Sequence, residues 1–321
     1  MPDAKRRRAK SYRLGDSMET IQKKKKKDVG SGVFIITMLA IPIVSFLFFY
    51  VYINFNSILM AFQEPLFDGR GGYRWGFGNF EKFFQKFAVV GTEENMGLYL
   101  RNTIIYFCQD MFIMLPLSLI ICYFMYKKIA GYQAFRTIIY LPVIMTAPIM
   151  ASLYKLMLDW GALRVIGEKF GMNLPDSFIM NENYALNSVL FYVLYTGIGG
   201  RFVLLGGAMN TIDPSIIDAG KIDGAGPYRE LVSIIIPCIW PTLATLILLS
   251  STGIFTASGP LLLFDKGVCG TMSISYYIYD VVQGGGDNTS VELAAAVGVT
   301  FTVLALPIVM LVKKITKVAE E

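Results

Sequence analysis

Between Val33 and Ile53 no residue carries a charge, and most are aliphatic or aromatic. A helix of about 20 such residues matches the hydrocarbon thickness of a bilayer, where no water is present to satisfy backbone groups. That run commits the chain to a membrane. The apolar stretch as a whole extends from Val33 to Phe62, and similar stretches follow at Ile104 to Tyr126, Ile138 to Met157, Leu186 to Ala208, Leu231 to Phe255 and Leu293 to Val312. The sequence therefore predicts an all-α membrane protein of about six spans. Membrane strands are excluded, because they alternate in short runs and these segments are continuously apolar. The composition, 54% hydrophobic and 17% charged, agrees with a bilayer solvent.

Orientation follows from the basic residues. Lys5, Arg6, Arg7, Arg8, Lys10, Arg13 and the run Lys23 to Lys27 precede the first span; Lys127, Lys128 and Arg136 lie between the second and third; Lys313, Lys314 and Lys317 end the chain. The positive-inside rule places all three groups, and so both termini, in the cytoplasm. The organisation expected is a basic tail over 1–32, a transmembrane domain over 33–313 and a short tail over 314–321. The tail is read as an orientation signal and not as a nucleic-acid patch, because it lies just before a span. The first run is also longer than a signal peptide's apolar core and follows a tail of about thirty residues.

The chain has four cysteines and no histidine. Cys108, Cys122 and Cys238 fall within expected spans and only Cys269 in an outer loop, so no disulfide framework is implied. Lack of histidine removes His-based acid/base catalysis and His-containing zinc sites.

The most specific stretch lies on the cytoplasmic side, in the loop 212–230. Asp213 followed by Pro214 marks a helix start, with an acceptor at the cap and proline at the first position. The helix is expected to run to about Asp223, to turn at Gly224 and Gly226, and to reopen at Pro227. A short helix, a glycine turn and a second helix make a projecting element suited to the cleft of a soluble partner.

The segment Asp218-Ala219-Gly220-Lys221-Ile222-Asp223-Gly224-Ala225-Gly226, followed by Ser233-Ile234-Ile235-Ile236-Pro237, resembles the signature loop of binding-protein-dependent ABC importer permeases. Asp218 stands where that family has Glu, Gly220 where it has a second Ala, and Ile236 where it has Leu. Phe77-Gly78-Asn79-Phe80, Arg101-Asn102-Thr103, Phe135-Arg136-Thr137 with Tyr140-Leu141-Pro142, and Ala294-Ala295-Ala296-Val297-Gly298 resemble further segments of its carbohydrate branch, maltose and oligosaccharide importers. The resemblance implies a type I ABC importer permease architecture in a bacterial inner membrane, with Asp218 to Gly226 forming a coupling helix that seats on an ATPase subunit. It also implies a second permease, two ATPase copies and an extracytoplasmic solute-binding protein as partners.

No GxxxxGK[ST] phosphate loop occurs in the chain. The expectation is therefore a transport subunit and not an enzyme, binding no cofactor itself, with ATP and Mg used by the partner ATPase. Counting from the signature loop by resemblance to maltose-type relatives gives Tyr195, Thr196, Gly197, Gly200, Ser250, Ile254 and Ala257 as candidates for the solute path. Arg201 and Asp110 are charges within spans, which cost about 2.5 to 3.5 kcal/mol on insertion scales and so face a partner or a cavity. Two readings stay open: they pair and lock two helices, or Arg201 lines the path and favours a hydroxyl-rich or acidic sugar. The alternative class, a stand-alone secondary transporter or channel, would show internal repeats, broken helices or a chain of ionisable groups, and the sequence displays none clearly.

Overall fold

The computed structural model describes residues 29–66, 72–88, 95–171, 174–256, 259–283 and 291–316. Most of the basic tail, the last five residues, Ala257 and the glycine run at 284–286 lie outside these. The chain falls into two compact units, one up to Leu59 and one from Met60 onward. In the first, the helix Val29–Ser45 continues through a π-helical stretch, Phe46–Tyr52, into Ile53–Met60. Two of its polar side chains bond back to their own helix: the Asn54 amide donates to Tyr50 O (2.5 Å) and the Ser57 hydroxyl to Ile53 O (3.0 Å). Such back-bonding removes the cost of a polar group in lipid.

In the second unit three helices are long and apolar enough to cross a membrane: Met96–Tyr126, Ala185–Asn210 and Val291–Thr316. Two more spans are helix pairs bent at a break, Tyr132–Ile144 with Ala147–Gly167, and Pro227–Cys238 with Trp240–Thr252, the latter by 80°. Counting each bent pair as one, and adding the first helix, gives the six expected spans. The sequence reading had found no broken helix, and here the structure corrects it. Proline is the reason. Pro148 has no N–H, and its ring clashes with the carbonyl four residues back, which is Ile144, where the helix stops. Met145 and Thr146 are extended in between. Pro241 and Pro237 flank the second break at Ile239 in the same way, and the turn before Pro237 widens into a π-helical stretch, Leu231–Ile235. Ahead of Pro116 the second span also widens, over Gln109–Met114.

The second span starts eight residues ahead of its apolar run, at Met96 instead of Ile104, because Asn95 caps it by accepting from the Leu98 N–H (3.2 Å). The expectation of an all-helical chain misses one small hairpin, in which Gln63–Leu66 pairs antiparallel with Gly72–Trp75. The Phe77-Gly78-Asn79-Phe80 segment fastens it. Asn79 is buried and donates to Ala61 O and Gln63 O (3.2 and 2.8 Å), while the Glu64 carboxylate accepts from the Gly78 N–H (2.6 Å). A Cβ on Gly78 would sit 2.6 Å from that carboxylate, so a larger residue there would make the Glu64 side chain shift.

The Arg101-Asn102-Thr103 segment plays a similar part. The Asn102 amide donates to Gly270 O and Met272 O (2.8 and 3.0 Å), and the Thr103 hydroxyl accepts from the Ile274 N–H (3.0 Å). Asp265, itself buried, gathers the intervening loop by accepting from Gly267 N, Cys269 N and the Thr271 hydroxyl. The loop from Gly259 to Ser273 is thereby sewn onto the second span. It positions Pro260, Leu262 and Leu263, and the helix Ile274–Val282 beyond them, against the central cavity.

Candidate functional site

Two features stand out in the second unit, a projecting element at one end of the bundle and a cavity within it. The projecting helix, Pro214–Ile222, begins as its residues dictate: the Asp213 carboxylate accepts from the Ser215 N–H (2.9 Å). That backbone bond holds the Asp213 pKa below the ordinary carboxylate value. Because the folded pKa is the lower one, the cap is complete above the unfolded value and is lost as pH falls through the folded one. Protection against hydrogen exchange at Ser215 and Ile216, taken relative to the intrinsic rate at each pH, is therefore expected to fall only in acid, and the acid step to vanish in Asp213→Asn. The helix ends in a Schellman turn. Ala225 N bonds Gly220 O (2.9 Å), Gly224 N bonds Lys221 O (3.1 Å), and Gly224 takes the positive φ of 74°.

This helix has two faces. Ile217 and Gly220 are buried, the first in a cluster with Leu205, Met209, Ile235 and Leu243, the second against Ile234. Ile216, Asp218, Ala219, Lys221, Ile222 and Asp223 are exposed, Ile222 at 87%. Asp218 pairs with Lys221 at 2.8 Å on the open surface, where such a pair is worth little. The turn Gly224, Ala225 and Gly226 leads to Pro227–Glu230, which is clamped to the end of the second span. The Tyr123 hydroxyl donates to Pro227 O (3.1 Å), and Lys127 meets Glu230 at 2.6 Å, with Glu230 only 2% exposed. The sequence offered no sign of this clamp, since its partners are a hundred residues apart.

The cavity has a volume of about 1000 Å³ and adjoins a second of about 350 Å³, and both are lined by Asp110, Val193, Arg201 and Gly259. Of the candidates named from sequence, Thr196, Gly197, Gly200 and Arg201 line the larger and Ser250 the smaller. Tyr195 lines neither; its hydroxyl donates to Ile138 O on the third span (3.3 Å). Ile254 is buried and also lines neither, and Ala257 lies outside the described residues.

Arg201 and Asp110 pair. Nη2 of Arg201 is 2.6 Å from both Asp110 oxygens and 3.1 Å from the Ser250 hydroxyl, joining the second, fourth and fifth spans. Asp110 sits on the π-helical stretch of the second span, a geometry frequent at functional sites. On the same stretch the Gln109 amide donates to Leu190 O (2.5 Å). The lining also includes residues that hydropathy had passed over, Tyr276 and Tyr279, whose rings lie 5.8 Å apart. Their signal was the Ser273 cap, accepting from the Tyr276 N–H, ahead of aromatics at helical spacing.

No protein-family model matches the chain. It is 27% identical over 218 residues to a polygalacturonan/rhamnogalacturonan transport system permease protein of Bacillus subtilis, covering 66% of this chain and 65% of that one. It is also 27% identical over 195 residues to a lactose transport system permease protein of Rhizobium radiobacter, covering 57% and 63%. The match thus spans just under two thirds of either relative's length. In three dimensions the chain matches one from a bacterial alginate ABC transporter in complex with an alginate pentasaccharide-bound periplasmic protein. The TM-score is 0.75 at 21% identity, covering 91% of this chain and 97% of that one. The chain has the fold of an ABC transporter's membrane-spanning subunit and is a relative, by sequence, of the permease proteins of sugar transport systems.

Proposed function

We propose that this chain is the permease subunit of an ATP-driven importer of sugars or oligosaccharides, with the helix Pro214–Ile222 as its coupling helix. The observation that carries the reading is the two-faced helix itself. Ile217 and Gly220 root it in the bundle, while Ile216, Ile222 and Tyr228 are left exposed on an otherwise polar projection. Exposed apolar side chains beside charged ones are what a docking surface for a soluble subunit requires. Movement of that subunit would reach the spans through the Tyr123 and Lys127 clamp. The cavity would open to alternate sides as the partners bind and hydrolyse ATP with Mg, a chemistry this chain does not supply.

The remaining assembly follows from the same reading: two ATPase copies, a second permease closing the cavity's open side, and an extracytoplasmic binding protein on the outer loops. The same reading takes the membrane to be the bacterial inner membrane with both termini in the cytoplasm, and the distribution of basic groups supports it.

Co-purification tests this directly. The full chain is expected to retain an ATPase subunit from its own host, and Ile222→Glu, which puts a charge on the exposed face, is expected to lose it while leaving the unfolding midpoint unchanged. The two broken spans would also suit a stand-alone secondary transporter. Uptake by the reconstituted chain alone, driven by an ion gradient with no ATPase bound, would replace the first reading with the second.

A further inference from the structure

From the Asp110–Arg201 pair we infer that the cavity selects neutral, hydroxyl-rich glycans and rejects uronates, with Asp110 as the residue that sets this preference. The inference rests on the reading of the cavity as a sugar path. It departs from the acidic polymers that two of the related transporters are named for.

The argument is one of charge and access. Among the residues lining the two cavities, Asp110 is the carboxylate and Arg201 the guanidinium, so the lining has no net charge. The distance of 2.6 Å to both oxygens leaves Nη2 of the guanidinium already occupied, and Ser250 accepts a third bond from the same nitrogen. A uronate entering the cavity would have to displace Asp110 to reach Arg201.

Access reinforces this. The Asp110 side chain is 31% exposed and that of Arg201 15%, and the second guanidinium nitrogen, Nη1, is buried without a partner. The solute therefore meets the carboxylate first. A carboxylate accepts from hydroxyl groups and repels another carboxylate. Arg201, held behind it, fixes Asp110 in place through the bonds to its two oxygens. Tyr279, 41% exposed on the same lining, supplies an aromatic face on which sugar C–H surfaces stack.

The experiment uses the full chain in lipid nanodiscs. Binding is read by native mass spectrometry and by the shift in unfolding midpoint, with neutral trisaccharides of gluco, galacto, manno and xylo type set against trigalacturonate and trimannuronate. The wild type is expected to bind at least one neutral trisaccharide about tenfold more tightly than either uronate. Asp110→Asn frees Arg201 and is expected to raise uronate affinity by about tenfold, reversing the order. Should that variant fail to fold, Asp110→Asn with Arg201→Gln removes both charges and is expected to lose about tenfold in neutral-sugar affinity without gaining any for uronates. A wild type that prefers uronates or binds no neutral sugar overturns the inference, as does a double variant with wild-type affinities. Failure of the permease reading is told apart by the ATPase co-purification, which does not depend on how the sugars rank.

Discussion

Lys127→Ala is expected to destabilise the folded chain by about 3 kcal/mol, because it leaves the carboxylate of Glu230 in a protein interior without its paired cation. The pair is lopsided. Glu230 has 3% of its side chain exposed and Lys127 27%, at a separation of 2.6 Å. Removing the buried partner is therefore the milder change. Glu230→Gln keeps the shape, takes away the charge that needed compensation, and leaves a lysine that can turn to water. Its cost is expected to stay below about 1 kcal/mol, the range of exposed pairs. Lys127→Arg should restore most of the loss. Reversible unfolding in mixed micelles reads all three, and equal costs for Lys127→Ala and Glu230→Gln would show that the carboxylate is not held as described. Because the clamp joins the projecting helix to the second span, Lys127→Ala should also lower uptake more than it lowers ATPase binding.

The second large effect concerns two adjacent glycines of the fourth span. A Cβ on Gly199 would lie 2.5 Å from the Val143 Cγ2 atom and 2.7 Å from the Ile139 carbonyl oxygen, whereas one on Gly200 would meet nothing within 4 Å. A backbone carbonyl cannot turn aside, so Gly199→Ala must push the third and fourth spans apart. The expected loss is about 2 kcal/mol, within the range for overpacking, and Gly199→Val should be worse. Gly200→Ala is expected to stay within about 0.5 kcal/mol of the wild type. The same unfolding measurement decides, and similar values for the two alanine variants would mean the helices have room that the geometry denies.

How far the sequence could be read depended on the range of the interaction. Spans were legible because lipid leaves the backbone no choice but a helix, and twenty apolar residues in a row declare it. The projecting helix was legible too, since Asp213, Pro214 and Gly224 fix its ends through bonds within a few residues. The breaks at Thr146 and Ile239 were half-legible: Pro148 and Pro241 were visible, but proline kinks a membrane helix more often than it interrupts one. Contacts across the bundle were mostly closed to the sequence. The Arg201–Asp110 pair was one of two readings that the cost of intramembrane charge left open, and the structure shows it, but nothing in the order of residues says that Thr196 faces the cavity while Tyr195 bonds to the third span. Asn102 and Asn79 were noticed as parts of a familiar pattern, and only the fold explains them, as donors to the carbonyls of distant loops.

The interrupted spans have a consequence for biosynthesis. The segment Trp240–Thr252 has 13 residues, about 20 Å of helix, against roughly 30 Å of hydrocarbon, and Tyr132–Ile144 is equally short. Neither can leave the translocon for lipid by itself. Tyr132–Ile144 must linger there until its second half, Ala147–Gly167, emerges from the ribosome, and Trp240–Thr252 must leave together with Pro227–Cys238, the half made before it, so nascent chains arrested inside these segments should remain crosslinkable to the translocon while chains arrested after the fourth span do not.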